Sequence, residues 1–293
     1  MFASLPFPDI SPEIFAIDLF GFHIALRWYA MAYIVGITLG WFALKRLLQR
    51  PTLWPHDAAP MHVVKLEDLL TYIVIGVIAG GRLGYVLFYK PTYYLANPIE
   101  IPQIWTGGMS FHGGFIGVVL GVYLFSLRHK VSLAQLSDGI AIAATPAILL
   151  VRVSNFINAE LWGRQTDLPW GVEFPTQAAQ SCATAEGLCA RHPSQLYEAG
   201  LEGLLLGAVL WIMATRLGAL KSPWMITGTF FAGYGLARFL VEFVRQPDAQ
   251  FVTEGNPLGL AYEIGGYGLT MGQTLSVPMI VIGLVVIVVA RRR

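Results

Sequence analysis

Two arginines, Arg152 and Arg238, stand inside otherwise apolar stretches, and the residue types around them are those that hold an anion. A charge at the centre of a bilayer costs about 2.5–3.5 kcal/mol on insertion scales, so an arginine kept there needs a partner or a ligand. Tyr234, Arg238 and Glu242 recur at i, i+4 and i+8, which sets a phenol, a cation and a carboxylate on one helix face. Arg152 opens the run Arg152-Val-Ser-Asn-Phe-Ile-Asn-Ala-Glu-Leu-Trp-Gly-Arg164, which gathers Asn155, Asn158, Glu160 and Arg164. A guanidinium presents two parallel donors to a phosphodiester, and asparagine amides add neutral ones. The competing reading of both clusters is a satisfied ion-pair network with helix capping.

His112 lies in Gly107-Gly108-Met109-Ser110-Phe111-His112-Gly113-Gly114, where glycines allow close approach of backbone or ligand. An imidazole with an ordinary pKa of about 6.5 suits proton removal near neutrality, although a lone histidine is also common as a satisfied polar residue. Tyr29, in Arg27-Trp28-Tyr29, reads on the same grounds as an aromatic anchor at a membrane surface. Arg27 and Arg82 read either as structural charges that snorkel or pair near a span end or as part of a polar cavity that accepts an anionic ligand, and the role of Arg82 stays open. Cys182 and Cys189 fall in one polar stretch, as a disulfide or as two free thiols.

The elements that carry these residues follow from composition. The 293 residues include 19 Lys+Arg and 18 Asp+Glu, a net charge of +1, and only 13% are charged, against about 25% in soluble domains. With 55% hydrophobic residues and a mean hydropathy of +0.60, the chain reads as an all-α polytopic membrane protein. The same balance argues against a nucleic-acid partner, which needs a basic excess, and against disorder. Apolar windows near 26–46, 69–89, 109–128, 135–156, 198–216, 223–244 and 271–290 predict seven transmembrane helices in one integral domain, 1–293.

Loops after the first, third, fifth and seventh windows collect 11 of the 19 basic residues, which predicts a cytoplasmic C-terminus and an external N-terminus. The first twenty residues hold Asp9, Glu13 and Asp18 without Lys or Arg, so no cleavable signal is expected. On this orientation 157–197 is a small external head that favours a disulfide, and 90–108, with Tyr93, Tyr94 and Trp105, is an external arm. Polar residues confined to the outer half favour chemistry at the outer leaflet over a transporter or channel, which needs them through the full depth.

Taken together the motifs resemble the bacterial prolipoprotein diacylglyceryl transferase family, whose members are seven-span inner-membrane enzymes. They are Arg27-Trp28-Tyr29, Gly80-Gly81-Arg82-Leu83-Gly84-Tyr85, the glycine-flanked His112, the Arg152–Arg164 run, His192-Pro-Ser-Gln-Leu-Tyr-Glu198, Tyr234-Gly235 with Arg238, and Arg245-Gln-Pro-Asp248. The resemblance implies transfer of the diacylglyceryl group of phosphatidylglycerol to the lipobox cysteine of a prolipoprotein, forming a thioether and releasing glycerol phosphate, the first step of lipoprotein maturation. It implies that Arg152 and Arg238 are essential lipid-binding arginines, and that His112, Tyr29, Asn155, Gly163 and Tyr234 serve catalysis or binding. Ala30, Val151, Ser154 and Ala159 depart from a pattern that often has glycine, which bears on local helix approach. The chemistry agrees. A thiol of pKa ~8.5 is only a few per cent ionised at pH 7 and benefits from a base, for which His112 is the candidate. The departing phosphate gains negative charge that Arg152 and Arg238 can stabilise. The displacement calls for no cofactor, and no metal-ligand spacing is present.

Overall fold

The computed structural model describes residues 4–182, 188–264 and 267–292, so 183–187 of the expected head and Arg293 lie outside the described residues. The chain forms two compact units, Met1–Leu44 with Ile140–Arg293, and Lys45–Gly139. It is mostly helical. The long helices are α1 (Trp28–Leu48), α2 (Leu66–Phe88), α3 (Phe111–His129), α4 (Leu133–Ile157), α5 (Ser194–Thr215), α6 (Met225–Val241) and α7 (Met271–Arg291). Six of them, all but α6, are long and apolar enough to cross a membrane.

The expected window 223–244 shrinks to the 17 residues of α6 because Glu242, Phe243 and Val244 leave the helix as turns. Seventeen residues rise about 26 Å, less than the ~30 Å of a hydrocarbon core. Phe243 and Val244 add to the hydropathy of the window, but the Val244 carbonyl is used elsewhere, accepting the backbone N–H of Arg164 at 2.8 Å.

Among the described residues, three two-stranded sheets correct the all-helical expectation. Leu5–Pro6 pairs in parallel with Val172–Glu173, β1 (Glu13–Leu19) pairs with β2 (Phe22–Arg27), and β3 (Leu260–Ile264) with β4 (Tyr267–Thr270), the last two antiparallel. Period-2 alternation in β1 sets Phe15 and Ile17 opposite Leu26 and Ile24, and Asp18 opposite His23 on the other face. On that polar face the carboxylates of Asp18 and Glu13 hold the His23 imidazole above its usual range. Each of these hairpins runs straight into a long helix, β2 into α1 and β4 into α7, so each ties down a helix start.

In the unit Lys45–Gly139, α2 and α3 approach through two glycine rows at four-residue spacing, Gly76, Gly80 and Gly84 against Gly113, Gly117 and Gly121. A Cβ added at Gly80 would lie 2.8 Å from the Gly117 Cα, and one at Gly84 would lie 2.8 Å from the Gly113 Cα. Small residues let membrane helices pack backbone to backbone where no hydrophobic driving force draws them together. The same device joins α1 to α4 in the other unit, where a Cβ at Gly36 would lie 2.6 Å from the Ala147 Cα. Arg82, on α2, is 3% exposed. Its guanidinium donates to the carbonyls of Ile101 at 2.7 Å, Glu100 at 2.8 Å, Gly107 at 2.5 Å and Gly108 at 3.3 Å, and lies 5.1 Å from the Tyr94 ring centre. It thereby fixes the chain between 100 and 108 that leads into α3.

A second small core lies within 157–197. Ala159, Val172, Phe174 and Ala179 pack with Phe7, Phe156 and Trp162, and Cys182 and Cys189 are joined by a disulfide.

Replacing Gly117 with Val forces the α2–α3 rows apart. Thermal unfolding in detergent is expected to show a loss of at least about 1–3 kcal/mol, the usual cost of overpacking, whereas Gly114→Val, where an added Cβ meets nothing nearer than 3.7 Å, should cost far less.

Candidate functional site

The interior of the unit containing α4, α5 and α6 holds five charged side chains in an alternating ladder. Arg152 on α4 lies 3.3 Å from Glu202 (Nη2 to Oε2) and 2.9 Å from Glu198 (Nη1 to Oε2), both on α5. The other Glu198 oxygen is 2.6 Å from Arg238 Nη1 on α6, and Arg238 Nη2 is 2.7 Å from Glu242 Oε2 one turn further on. Glu198 and Glu202 are 1% and 0% exposed, so these pairs are buried rather than superficial. Buried ions survive only when each charge is compensated, and here every guanidinium is shared between two carboxylates.

Local structure explains the convergence. Residues Ala199–Leu205 of α5 wind as a π-helix, a wide turn that recurs at functional sites and that here carries Glu198 and Glu202 to the same arginine. Glu242 is held from the far side. Thr270, the N-cap of α7, donates its hydroxyl to Glu242 Oε1 at 3.1 Å, and Gly272 leaves the room the carboxylate occupies, since a Cβ there would lie 2.5 Å from both Glu242 oxygens. Tyr234 adjoins Arg152, Arg238, Glu198 and Glu202, and its ring stacks on Phe230 at 5.8 Å.

The structure therefore brings together Arg152, Arg238, Tyr234 and Glu242 from the sequence expectation. Tyr29 lies at the first turn of α1 with its hydroxyl 3.5 Å from that of Tyr33, and Tyr33 in turn is within electrostatic reach of Arg152. Asn155, in the last turn of α4, is buried, but its amide donates to Glu160 Oε1 at 2.8 Å just beyond the helix end. His112 belongs to the other unit. It stands exposed at the start of α3, which Ser110 caps by accepting the Gly113 N–H at 3.2 Å, and its ring meets that of Phe111 edge to face.

Gly163 is a crossing point of three chain segments. Its N–H donates to the His192 carbonyl at 2.8 Å, its carbonyl accepts from Arg191 at 3.3 Å, and it pairs antiparallel with Arg245. Arg191 also lies 4.1 Å from the Trp162 ring centre, and burial lowers its pKa from the usual guanidinium range.

Glu198 enters the sequence reading only as the end of the His192–Glu198 motif, with no role of its own, and Glu202 is not singled out. Their signal is the same as that of the arginines, two acids four residues apart in an otherwise apolar window. Applied to carboxylates, the cost of an embedded charge would have paired them with Arg152.

The fold and this ladder define a polytopic helical membrane protein with a charged interior. Residues 15–289 match the family model described as prolipoprotein diacylglyceryl transferase. The chain is 60% identical over 291 residues to the phosphatidylglycerol–prolipoprotein diacylglyceryl transferase of Roseobacter denitrificans, with 99% of both chains covered. It is 61% identical over 291 residues to that of Ruegeria pomeroyi, again over 99% of both. It is 45% identical over 293 residues to that of Rhizobium leguminosarum bv. trifolii, over 100% of this chain and 96% of the relative. The chain belongs to the prolipoprotein diacylglyceryl transferase family.

Gly163→Ala would set a Cβ 2.6 Å from the His192 Cβ and 2.8 Å from the His192 carbonyl oxygen. Unfolding measurements should show a loss of about 1–3 kcal/mol, with the three segments loosened together as enhanced amide exchange at Gly163, Arg164 and Arg191.

Proposed function

We propose that this protein transfers the diacylglyceryl group of phosphatidylglycerol to the thiol of a prolipoprotein lipobox cysteine and releases glycerol phosphate. The observation that carries the reading, beside family membership, is the pair Arg152 and Arg238, held by one carboxylate on neighbouring helices of a membrane protein. In the reaction the thiolate sulfur attacks the sn-3 carbon of the diacylglyceryl group. A C–S bond forms, the C–O bond to phosphate breaks, and the phosphate leaves with the electron pair as a monoester.

Arg152 and Arg238 bind the phosphodiester and stabilise the charge that grows on it, which fixed donors in a dry site do far better than water. Glu198, Glu202 and Glu242 hold the two guanidiniums in place, and an arriving phosphate displaces or shares their carboxylate oxygens. Tyr234, Tyr29 and Asn155 line the substrate site, Glu242 orients Arg238, and Gly163 keeps the adjoining backbone close. His112 takes the thiol proton, raising the small thiolate fraction present near neutrality.

The seven long helices are read as seven spans of the bacterial inner membrane, with the short α6 completed by its flanking turns. The N-terminus, the head at 157–197 and the arm at 90–108 face outward, and the C-terminus faces the cytoplasm. The disulfide between Cys182 and Cys189 suits an oxidising outer compartment.

The test is incubation of the detergent-purified protein with phosphatidylglycerol and a synthetic lipobox peptide, with mass analysis of the peptide. The parent is expected to add one diacylglyceryl group as a thioether. Arg152→Gln is expected to lower the rate at least about 100-fold, as for loss of an electrostatic stabiliser of the transition state. A parental rate in Arg152→Gln would overturn the role given to that residue.

A further inference from the structure

Arg245 stands just beyond α6, seven residues after Arg238, and differs from both ladder arginines in its surroundings. Its backbone is fixed from several sides. Its N–H donates to the Val241 carbonyl at 3.0 Å, it pairs antiparallel with Gly163, and on either side the Val244 carbonyl accepts from Arg164 at 2.8 Å and Gln246 Oε1 accepts from Arg191 at 3.0 Å. Its half-buried side chain lies within electrostatic reach of Arg238, Glu198, Glu242 and Arg152, yet among the described residues it forms no ion pair, the four ladder contacts belonging to Arg152 and Arg238. Burial holds its pKa below the usual guanidinium range, and the neighbouring carboxylates do not make up the difference.

A partly desolvated cation with open donors, on a backbone that cannot drift, is an anion receptor in waiting. Arg152 and Arg238 must loosen a carboxylate to accept a phosphate, whereas Arg245 gives its donors without breaking any pair. Without it the ladder sets two guanidiniums against three carboxylates, a negative excess that favours a headgroup carrying an ammonium; Arg245 cancels that excess and so shifts the preference toward a group with only a phosphate. We propose that Arg245 receives the phosphate of an anionic glycerophospholipid and selects it over a zwitterionic one. This rests on the reading of the site as a lipid-using transferase, and deepens it.

The experiment uses the full-length protein in detergent, with two readouts. The first is transfer kinetics on phosphatidylglycerol for the parent, Arg245→Gln and Arg245→Lys. The second is the thermal midpoint with dioleoyl phosphatidylglycerol or dioleoyl phosphatidylcholine in mixed micelles, since a ligand bound by the folded state raises that midpoint. Arg245→Gln should raise KM for phosphatidylglycerol about 10- to 100-fold, as for one lost charged hydrogen-bonding partner, with a much smaller change in kcat. The phosphatidylglycerol-specific rise of the midpoint should vanish with it. Arg245→Lys, which keeps the charge and loses the fork, should fall between.

A parental KM and a parental midpoint rise in Arg245→Gln would overturn the proposal, as would a fall in kcat at constant KM. Equal midpoint rises with the two lipids in the parent would overturn the selectivity. If Arg245→Gln does not fold, Arg245→Lys decides by the same criteria, a parental KM counting against the role. If the parent makes no thioether, the reaction assignment fails, while the midpoint data still decide whether Arg245 receives the anionic lipid.

Discussion

Glu198 is the carboxylate on which the interior of the larger unit depends, because each of its oxygens meets a different arginine, at 2.9 Å and 2.6 Å. Without it each arginine keeps one carboxylate partner instead of two, and without Arg152 Glu202 loses its only ion pair among the described residues. The π-helical turn of α5, the glycine at 272 and the cap of α7 follow from this need, each serving to bring a carboxylate within reach of a guanidinium or to hold it there. The ladder also explains how two cations stay aligned without a ligand. Their donors are spread over carboxylates that a phosphate can displace or share.

Backbone proximity is the second constraint. Lipid chains are as apolar as leucine, so helices in a membrane associate through shape rather than through hydrophobic burial. The glycine rows of α2 and α3 supply that shape in one unit, and Gly36 and Gly40 of α1 against Ala147 and Ala143 of α4 supply it in the other. Gly163 serves the same end outside the helices, where the chain segments at 163, 192 and 244 meet within hydrogen-bonding distance.

Long helices were legible because hydropathy windows measure the property that makes them stable in lipid. The end of α6 was not, because Phe243 and Val244 look helical by hydropathy while their backbone is used to join Arg164. Strands β1 and β2 were missed although Glu13–Leu19 alternates, since the opening residues were read for a leader rather than for period 2. Among site residues, Arg152, Arg238, Tyr234 and Glu242 were found from embedded charge and helical spacing, and the structure gathers them. Glu198 and Glu202 carry the same signal of embedded charge, but at the edge of a hydropathy window that signal does not stand out, and Glu198 appears there only as part of a motif. The partners of Asn155 and Gly163 depend on chain segments that meet only after folding, so no local pattern announces them.

Glu198 and Arg238 stabilise the fold as one unit rather than as two independent residues. A double-mutant cycle measures this directly, comparing the unfolding free energies in detergent of Glu198→Gln, Arg238→Gln and the double variant. Each single change should cost about 3–5 kcal/mol, because it strands the opposite charge. The double variant should be less destabilised than the sum by about 1–3 kcal/mol. Additivity to within about 0.5 kcal/mol would contradict the account, since residues that do not share a network behave in that way.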